Sequence, residues 1–302
     1  MVTGGSGFVG QRLVPSLIDK GARVTVLGRR VPDDRIDRRA DVRRWTPEQP
    51  GDWYSAVDGS DAVVHLAGEP VIGKRWSDEQ KGVIVRSRVD STRQLVAAMR
   101  AAKKRPSVFV CASAVGYYGN HPASDPVDES RGPGQGFLAS VVRDWEAAAD
   151  EASELGGRVV KLRIGLVLGH GGGPLGPMLP AFKMFVGGPV GPGDQMMPWV
   201  HIDDIVGLIE LGLTRDDAKG PINATAPNPV SMNEFARSLG KALHRPAVFP
   251  VPTPVVRLLL GEAADAVVEG QAVLPRAAEA LGYSFRYTKL DSALADLFGR
   301  AS

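Results

Sequence analysis

Residues 3–10 read "TGGSGFVG", which places Gly4, Gly7 and Gly10 three residues apart, directly before an apolar helical pattern. A strand-like run, "RVTVLG", closes this unit of about thirty residues. Glycines let a backbone turn tightly and approach a pyrophosphate, and a helix N-terminus directs free N–H groups at the anion. The spacing predicts a dinucleotide-binding βαβ unit, with an ordinary strand-to-helix turn as the alternative. We assign the ligand contacts of this turn to Gly4, Ser6, Gly7, Phe8, Val9 and Gly10.

Only Met1 and Val2 precede the turn. The strand that enters such a turn is central in its sheet, and strands there usually have about five residues. We therefore expect a few apolar residues to be missing before Met1.

Apolar runs at 61–68, 107–113 and 158–169 alternate with helical patterns that are long enough for crossover helices. This alternation predicts an α/β fold with a Rossmann-type, doubly wound parallel sheet. A Gly- and Pro-rich stretch follows residue 169, with a short helix around "MLPAFKMF", and the alternating "YSFRY" stands near the C-terminus. The predicted NADP-binding domain comprises 1–166 and 199–225, and a smaller substrate-side domain comprises 167–198 and 226–302.

Composition argues for a small-molecule partner. Lys and Arg total 36 against 34 Asp and Glu, which gives a net charge of +2. This near balance does not indicate a positive electrostatic field built to attract nucleic acid or an acidic membrane. The single cysteine, Cys111, lies in an apolar run, which indicates a core residue in a reduced compartment. No run resembles a membrane span or a signal region. We expect a cytoplasmic monomer or homodimer.

The end of the second strand bears on the choice of cofactor. Arg29 and Arg30 stand where an NAD-preferring protein would carry an acidic residue for the ribose 2′-hydroxyl. Guanidinium groups suit a 2′-phosphate. We therefore predict NADP(H), with a solvated basic loop as the alternative.

Two further strand ends supply candidate ligand contacts. The stretch "HLAGEPV" offers small residues that let the cofactor approach closely. The acidic residue that follows them lies either in the cleft or in water. We assign Leu66, Ala67, Gly68 and Glu69 to the cofactor.

The stretch from 113 to 118 contains several hydroxyl groups that could polarise a carbonyl and deliver its proton. The catalytic candidates are Ser113, Tyr117 and Tyr118, although one tyrosine could be a core residue.

The chain resembles an atypical extended short-chain dehydrogenase/reductase, namely the epimerase-like family known as NAD-dependent epimerase/dehydratase or sugar-nucleotide epimerase. The matching motifs span almost the whole chain and include "TGGSGFVG", "HLAGEPV", "SRVDST", "SAVGYYG", "RDWEAAA", "LRIGLVLG", "GPGDQMMPWVHIDD", "NATAPNPV" and "GQAVLP". The resemblance implies NADP(H) at the glycine turn and a substrate site between the sheet and a small C-terminal domain of unknown function. It does not supply a substrate.

One family feature is missing. The Tyr-x-x-x-Lys pair of such enzymes would fall on the helix at 136–152, where Leu138 and Val142 occupy the two positions. Without the Lys a tyrosine could still act as a neutral acid but would be a poor base at neutral pH. A substitute cation could come from Arg143 or Lys183, although solvated positions are the simpler interpretation of both.

The stretch "PWVHIDD" ends another predicted strand. Trp199 and His201, with Lys183, are the substrate-contact candidates, because His could donate to a substrate. The alternative is that His201 bonds locally and Asp203 caps the next helix. A metal site is disfavoured, since no two histidines share a helix face or short loop.

Two functions follow. The first is an NADP(H)-dependent oxidoreductase or epimerase-like enzyme that acts on a carbonyl or sugar-like small molecule. The second is a non-catalytic NADPH-binding protein that reports redox state, which the missing Tyr-x-x-x-Lys pair favours.

Overall fold

The structure, a computed structural model, describes residues 1–31 and 33–299. The strands are β1 Val2–Thr3, β2 Thr25–Gly28, β3 Asp41–Arg44, β4 Ala62–His65, β5 Val108–Ala114, β6 Arg158–Ile164, β7 Leu166–Leu168, β8 Met196–Met197, β9 Trp199–His201, β10 Gly220–Ala224 and β11 Val230–Ser231. The helices are α1 Gly10–Asp19, α2 Asp78–Arg86, α3 Val89–Ala101, α4 Phe137–Asp150, α5 Leu175–Lys183, α6 Ile202–Thr214, α7 Met232–Leu243, α8 Thr253–Leu260, α9 Asp265–Val268, α10 Arg276–Ala280 and α11 Leu290–Phe298.

Seven strands form one parallel sheet in the order β3-β2-β1-β4-β5-β6-β10. The predicted Rossmann-type sheet is confirmed. β1 is central although it has two residues, and Val2 pairs with Val26 on one side and Val64 on the other. The order reverses between β1 and β4, which is where open α/β sheets bind their ligands.

Alternating side chains of these strands enter two separate cores, because successive residues point to opposite faces. Val64 and Val110 pack with α1 and α6, whereas Val63, Phe109 and Cys111 pack with α3 and α4. Helices therefore cover both faces, as a sheet of buried parallel strands requires. The prediction that Cys111 is a core residue is confirmed, since its side chain is buried and not bonded to another cysteine.

The run at 158–169, read as one strand, is divided in two at Gly165. A Cβ at Gly165 would collide with the carbonyl of Pro198, so only glycine allows this close approach. After this point β7 leaves the main sheet and pairs with β9. A third core beneath this pair includes Leu168, Trp199 and side chains from α5, α7 and α11.

The alternating stretch 283–287 does not form a strand. Its backbone N–H groups bond to a helix instead of a neighbouring strand: those of Arg286 and Tyr287 donate to the carboxylate of Asp204, at 2.8 and 3.0 Å. Tyr283 and Phe285 pack against the first core. The alternation therefore marks a segment anchored to α6. Across the described residues, no helix is long and apolar enough to cross a membrane.

Candidate active site

Three predicted cofactor-binding segments meet at one edge of the sheet. The chain leaves β1 into the glycine turn, leaves β2 at Arg29, and leaves β4 at Leu66. Because these strands are parallel neighbours, their carboxyl ends share an edge. The edge lies at the reversal of strand order.

The glycine turn packs tightly against its surroundings. Gly4 has a φ of +71°, and a Cβ there would lie 2.8 Å from the nitrogen of Ala67. A Cβ on Gly10 would lie 2.6 Å from the Cα of Gly5. Gly7, in contrast, is exposed and donates its N–H to the carbonyl of Gly4 at 2.9 Å. The outer glycines thus close the turn, and the middle one leaves the backbone open to a ligand.

The N-terminus of α1 is available to an anion. No side chain caps it, and its first turn has no acidic residue. Within the described part of the chain, the N–H groups of Phe8 and Val9 donate to no backbone carbonyl. Free donors and the positive end of the helix dipole fit a dinucleotide pyrophosphate.

The other residues of the turn connect it to neighbouring loops. Ser6 lies beside the carboxylate of Asp33, in the loop after β2. The ring of Phe8 packs against Gly169 and Gly172, where a Cβ would lie 2.9 and 2.5 Å from ring atoms. The glycine-rich stretch after β7 is therefore shaped around Phe8.

Both arginines after β2 are exposed. Neither Arg29 nor Arg30 forms an ion pair with a carboxylate that the structure describes, and the charge of Arg29 reaches Glu69 across the edge. Their position beside the turn suits the phosphate contact that the sequence predicts.

The segment after β4 is accessible, but its acidic residue, Glu69, already has a partner. Ala67 is partly exposed and Gly68 exposed, whereas Glu69 accepts a hydrogen bond from Lys74 at 2.9 Å. That contact, opposed by partial burial, lowers the pKa of Glu69. Glu69 is thus an ionised loop carboxylate.

Ser113 does not face a cleft. It is 3% exposed and its hydroxyl donates to Glu146 at 2.6 Å. Glu146 also binds the guanidinium of Arg163 through both oxygens, at 2.8 and 2.9 Å. The hydroxyl is therefore part of a buried network and is not free to polarise a substrate carbonyl.

Tyr118 belongs to the same network. Its side chain is fully buried, its hydroxyl donates to Asn223 at 2.8 Å, and it accepts from Arg163 at 2.9 Å. Burial, partly offset by Arg163, raises the pKa of Tyr118 to about 12. The catalytic assignment of Tyr118 is corrected: it is the core residue of the tyrosine pair.

Tyr117 has the surroundings that a proton donor needs. It is partly exposed, and its hydroxyl bonds to none of the described residues. The guanidinium of Arg163 lies 3.5 Å from its ring centroid. Burial works against the charge of Arg163, but the bonds from Glu146 outweigh it and raise the pKa of the guanidinium. A permanent cation therefore lies against the face of the ring.

The helix α4 confirms the loss of the usual pair. Val142 is buried in its apolar face, and Leu138 lies beside the strand end, its Cβ 3.6 Å from a Cβ placed on Gly116. Arg143 is exposed and pairs with Asp144 at 3.0 Å, so it is not a substitute cation at this site.

The predicted substrate contacts after β7 have other roles. Trp199 is fully buried and donates to the carbonyl of Asn228 at 2.9 Å. His201 is 1% exposed, and its Nδ1 accepts from the N–H of Asp203, so His201 itself caps α6. Lys183 is an exposed residue at the end of α5. Trp199 and His201 are corrected to core and capping residues.

Sequence reasoning missed the cluster that surrounds Tyr117, namely Glu146, Arg163 and Asn223. A signal was present in the buried strand β6, where "VKLRI" carries charged residues on its otherwise apolar run. Charged residues in such a strand require partners. Glu146 lies four residues after Val142 on the same face of α4, which also indicates a buried acid.

The parallel sheet, its strand reversal and the uncapped glycine turn define a Rossmann-type dinucleotide-binding protein. The chain belongs to the NAD dependent epimerase/dehydratase family, which its residues 1–224 match, and residues 251–297 match a domain of unknown function, DUF1731.

Proteins described as SDR39U1 are similar over nearly the whole chain. A relative from Arabidopsis thaliana, "Epimerase family protein SDR39U1 homolog, chloroplastic", is 44% identical over 296 residues, covering 97% of this chain and 84% of the relative. The Mus musculus protein "Epimerase family protein SDR39U1" is 35% identical over 300 residues, covering 98% of both chains. The crystal structure of human SDR39U1 (isoform2) with NADPH superposes with a TM-score of 0.88 at 34% identity, covering 99% and 98% of the two chains. A nicotinamide dinucleotide is thus the supported cofactor class.

Proposed function

We propose that the protein is an NADP(H)-dependent oxidoreductase that reduces the carbonyl group of a small molecule, with Tyr117 as the proton donor. The observation that carries this proposal is the position of Tyr117: a partly exposed phenol, free of protein hydrogen bonds, over the guanidinium of Arg163 at 3.5 Å. When bound, the cofactor supplies a hydride.

The chemistry needs one proton for each hydride. As the hydride adds to the carbonyl carbon, the electrons of the C=O bond move to oxygen, which takes the proton of the Tyr117 hydroxyl. Arg163 stabilises the negative charge that develops on the ring, because the cation lies against its face. Solvent that reaches the partly exposed Tyr117 side chain then returns the proton.

The choice of NADP(H) over NAD(H) rests on Arg29 and Arg30, which are exposed beside the glycine turn. Bidentate guanidinium contacts suit a 2′-phosphate, and both groups lack a carboxylate partner in the described chain. NADPH in human SDR39U1 gives this preference a precedent in a similar protein.

Aromatic and leucine side chains lie on the surface beside the N-terminus of α4. Trp76 packs on Phe137 with ring centroids 5.1 Å apart, and Phe137 begins the helix that carries Leu138. Arg75, beside Trp76, bonds to carbonyls of α8, whose side chains Leu258 and Leu259 are exposed. These apolar side chains favour a carbonyl compound with an apolar body over a sugar.

The experiment is a deuteride-transfer assay. NADPH deuterated at C4 is incubated with a panel of aldehydes and ketones, and deuterium in the product is measured by mass spectrometry. We expect stereospecific transfer to at least one substrate, and a fall of about 100-fold in turnover for Tyr117→Phe. Tyr54→Phe is the control, because its hydroxyl bonds to Gln94 outside the Arg163 network, and it keeps its turnover. No transfer across the panel, or equal turnover in Tyr117→Phe, would contradict the proposal.

A second candidate, a non-catalytic NADPH-binding redox reporter, has its own supporting observation. Leu138 and Val142 replace the usual acid/base pair, and the hydroxyl of Ser113 is held by Glu146. Binding of NADPH without any deuteride transfer would favour this function.

A cytoplasmic location, a monomer or homodimer, and a small-molecule partner without nucleic acid or membrane complete the proposal. They rest on the near-neutral charge of +2 and the single buried cysteine.

A further inference from the structure

A guanidinium group lies against the accessible strand end after β4. Arg88 immediately precedes α3, and its Cζ would lie 3.3 Å from a Cβ placed on Gly68. Gly68 directly follows Ala67, whose backbone contacts the glycine turn at Gly4. The Arg88 side chain therefore reaches the path that a dinucleotide takes once it has crossed the turn.

The same side chain reaches α4. The Cζ of Arg88 lies 5.4 Å from the ring centroid of Trp145, which is three residues after Val142 and shares its helix face. Val142 is the position that the family resemblance gives to the lysine of the Tyr-x-x-x-Lys pair. Arg88 thus brings a positive charge to the surroundings of the missing lysine from a different element.

The charge of Arg88 is weakly compensated. Its Nη1 donates to the carbonyl of Ile84 at 3.3 Å and the hydroxyl of Ser87 at 3.4 Å, while Nε and Nη2 find no acceptor in the described part of the chain. Glu69 favours the charge but is bonded to Lys74. Burial lowers the pKa of Arg88 to about 10, so it stays protonated at neutral pH. A partly buried cation with unused donors suits a polar or anionic ligand.

Other cations near the site are already paired. Arg163 is held by Glu146 through two bonds, and Lys161 binds Asp150 at 2.7 Å. Unlike these two, Arg88 keeps donors without an acceptor among the residues that the structure describes.

We propose that Arg88 is a positioning residue that binds the nicotinamide half of the dinucleotide, in place of the lysine that the family usually carries on α4. This rests on the proposed function, since it presumes a nicotinamide dinucleotide at the glycine turn. Tyr117 would then supply the proton while Arg88 holds the cofactor. The two roles that the Tyr-x-x-x-Lys pair performs from one helix would thus be divided between two elements.

The test compares two ligands by calorimetry. NADPH spans both halves of the site, whereas adenosine 2′,5′-bisphosphate occupies the adenine half alone. Each is titrated into the wild-type chain, into Arg88→Gln and Arg88→Lys, and into the control Arg86→Gln, which removes an exposed arginine two residues away. A thermal melt of each variant establishes that it is folded.

We expect Arg88→Gln to weaken NADPH by roughly tenfold, the factor for one lost charged hydrogen bond, and to leave the bisphosphate unchanged. Arg88→Lys keeps the charge but loses the planar fork, so NADPH should weaken by about threefold, again selectively. If the Gln variant does not fold, the Lys variant decides. Arg86→Gln should match the wild type with both ligands.

Equal NADPH affinity in a folded Arg88 variant, or a parallel loss of both ligands, would overturn the proposal. A wild-type chain that binds neither ligand would instead contradict the proposed function, so the two failures are distinguishable.

Discussion

Tyr117 and Tyr118 are neighbours in sequence, but their hydroxyls have opposite surroundings. Their rings meet edge to face at 87°; the Tyr118 side chain is fully buried, whereas the partly exposed Tyr117 has the Arg163 guanidinium 3.5 Å from its ring centroid. The sequence limits the candidate tyrosine proton donors to this pair. It could not select between the two, because the contacts that distinguish them come from Arg163 in β6 and Asn223 in β10, far along the chain.

His65 provides a test at this scale. It is fully buried at the end of β4, with Thr3 Oγ1 2.6 Å from Nδ1 and Ser91 Oγ 3.2 Å from Nε2. Burial, with a further contribution from Arg88, lowers the pKa of His65 to about 3. The unfolded chain takes up a proton near pH 6.5 and the folded chain does not. This contribution to stability is therefore complete above pH 6.5 and is lost as the pH falls toward 3.

We expect protonation of His65 in the unfolded chain to lower the free energy of unfolding by about 1.4 kcal/mol for each unit by which the pH falls within that window. Urea unfolding at several pH values between 6.5 and 4.5 measures the slope, and His65→Gln should flatten it. An NMR titration in which the His65 ring protonates near pH 6.5 in the folded chain would refute the prediction.

At the scale of single elements, the glycine turn makes a sharp prediction. In Gly10→Ala the new methyl group would lie 2.6 Å from the Cα of Gly5, and backbone cannot yield as a flexible side chain can. We expect a loss of about 2 kcal/mol of stability, typical of overpacking, and roughly tenfold weaker NADPH binding. Urea unfolding and calorimetry measure the two effects.

The matched control is Gly82→Ala, within α2. Its Cβ would meet only the end of the Arg86 side chain, which can move aside, and alanine favours a helix. We expect unchanged or slightly higher stability and unchanged binding. Equal behaviour of the two variants would count against the close packing of the turn.

The buried network that joins α4, β5 and β6 leads to a second prediction at the scale of single elements. Glu146 is buried and accepts bonds from Ser113 and Arg163. Glu146→Gln leaves the guanidinium without its counter-charge, so we expect the free energy of unfolding to fall by about 3 kcal/mol. Glu154→Gln removes an exposed acid, whose pair with Arg100 spans 3.4 Å, and should change stability by less than about 1 kcal/mol. Similar losses in the two variants would contradict the network's role.

At the scale of the whole molecule, the parallel sheet could be predicted from the sequence, but the packing of the segments after residue 165 could not. The alternation of buried strands and crossover helices depends on local patterns, which the sequence shows directly. The departures from a simple pattern involve distant contacts: the run at 158–169 divides because Gly165 meets Pro198, and the alternating stretch 283–287 forms no strand, since Asp204 accepts the N–H groups of Arg286 and Tyr287.

The division into two domains remains a proposal. Leu168 and the side chains of α7 and α11 pack together apart from the two faces of the main sheet. Trp199, placed in the dinucleotide-binding domain by the sequence, packs in this third core instead. The boundary therefore depends on packing that a sequence pattern does not reveal.

We propose that the glycine turn together with Arg29 and Arg30 binds NADP(H). Side-by-side calorimetric titration of the chain with NADPH and NADH tests this binding. We predict that NADPH binds at least about tenfold more tightly, the factor expected for a charge-assisted contact to the 2′-phosphate. Equal affinities would contradict the role of Arg29 and Arg30, and binding of neither nucleotide would contradict the site itself.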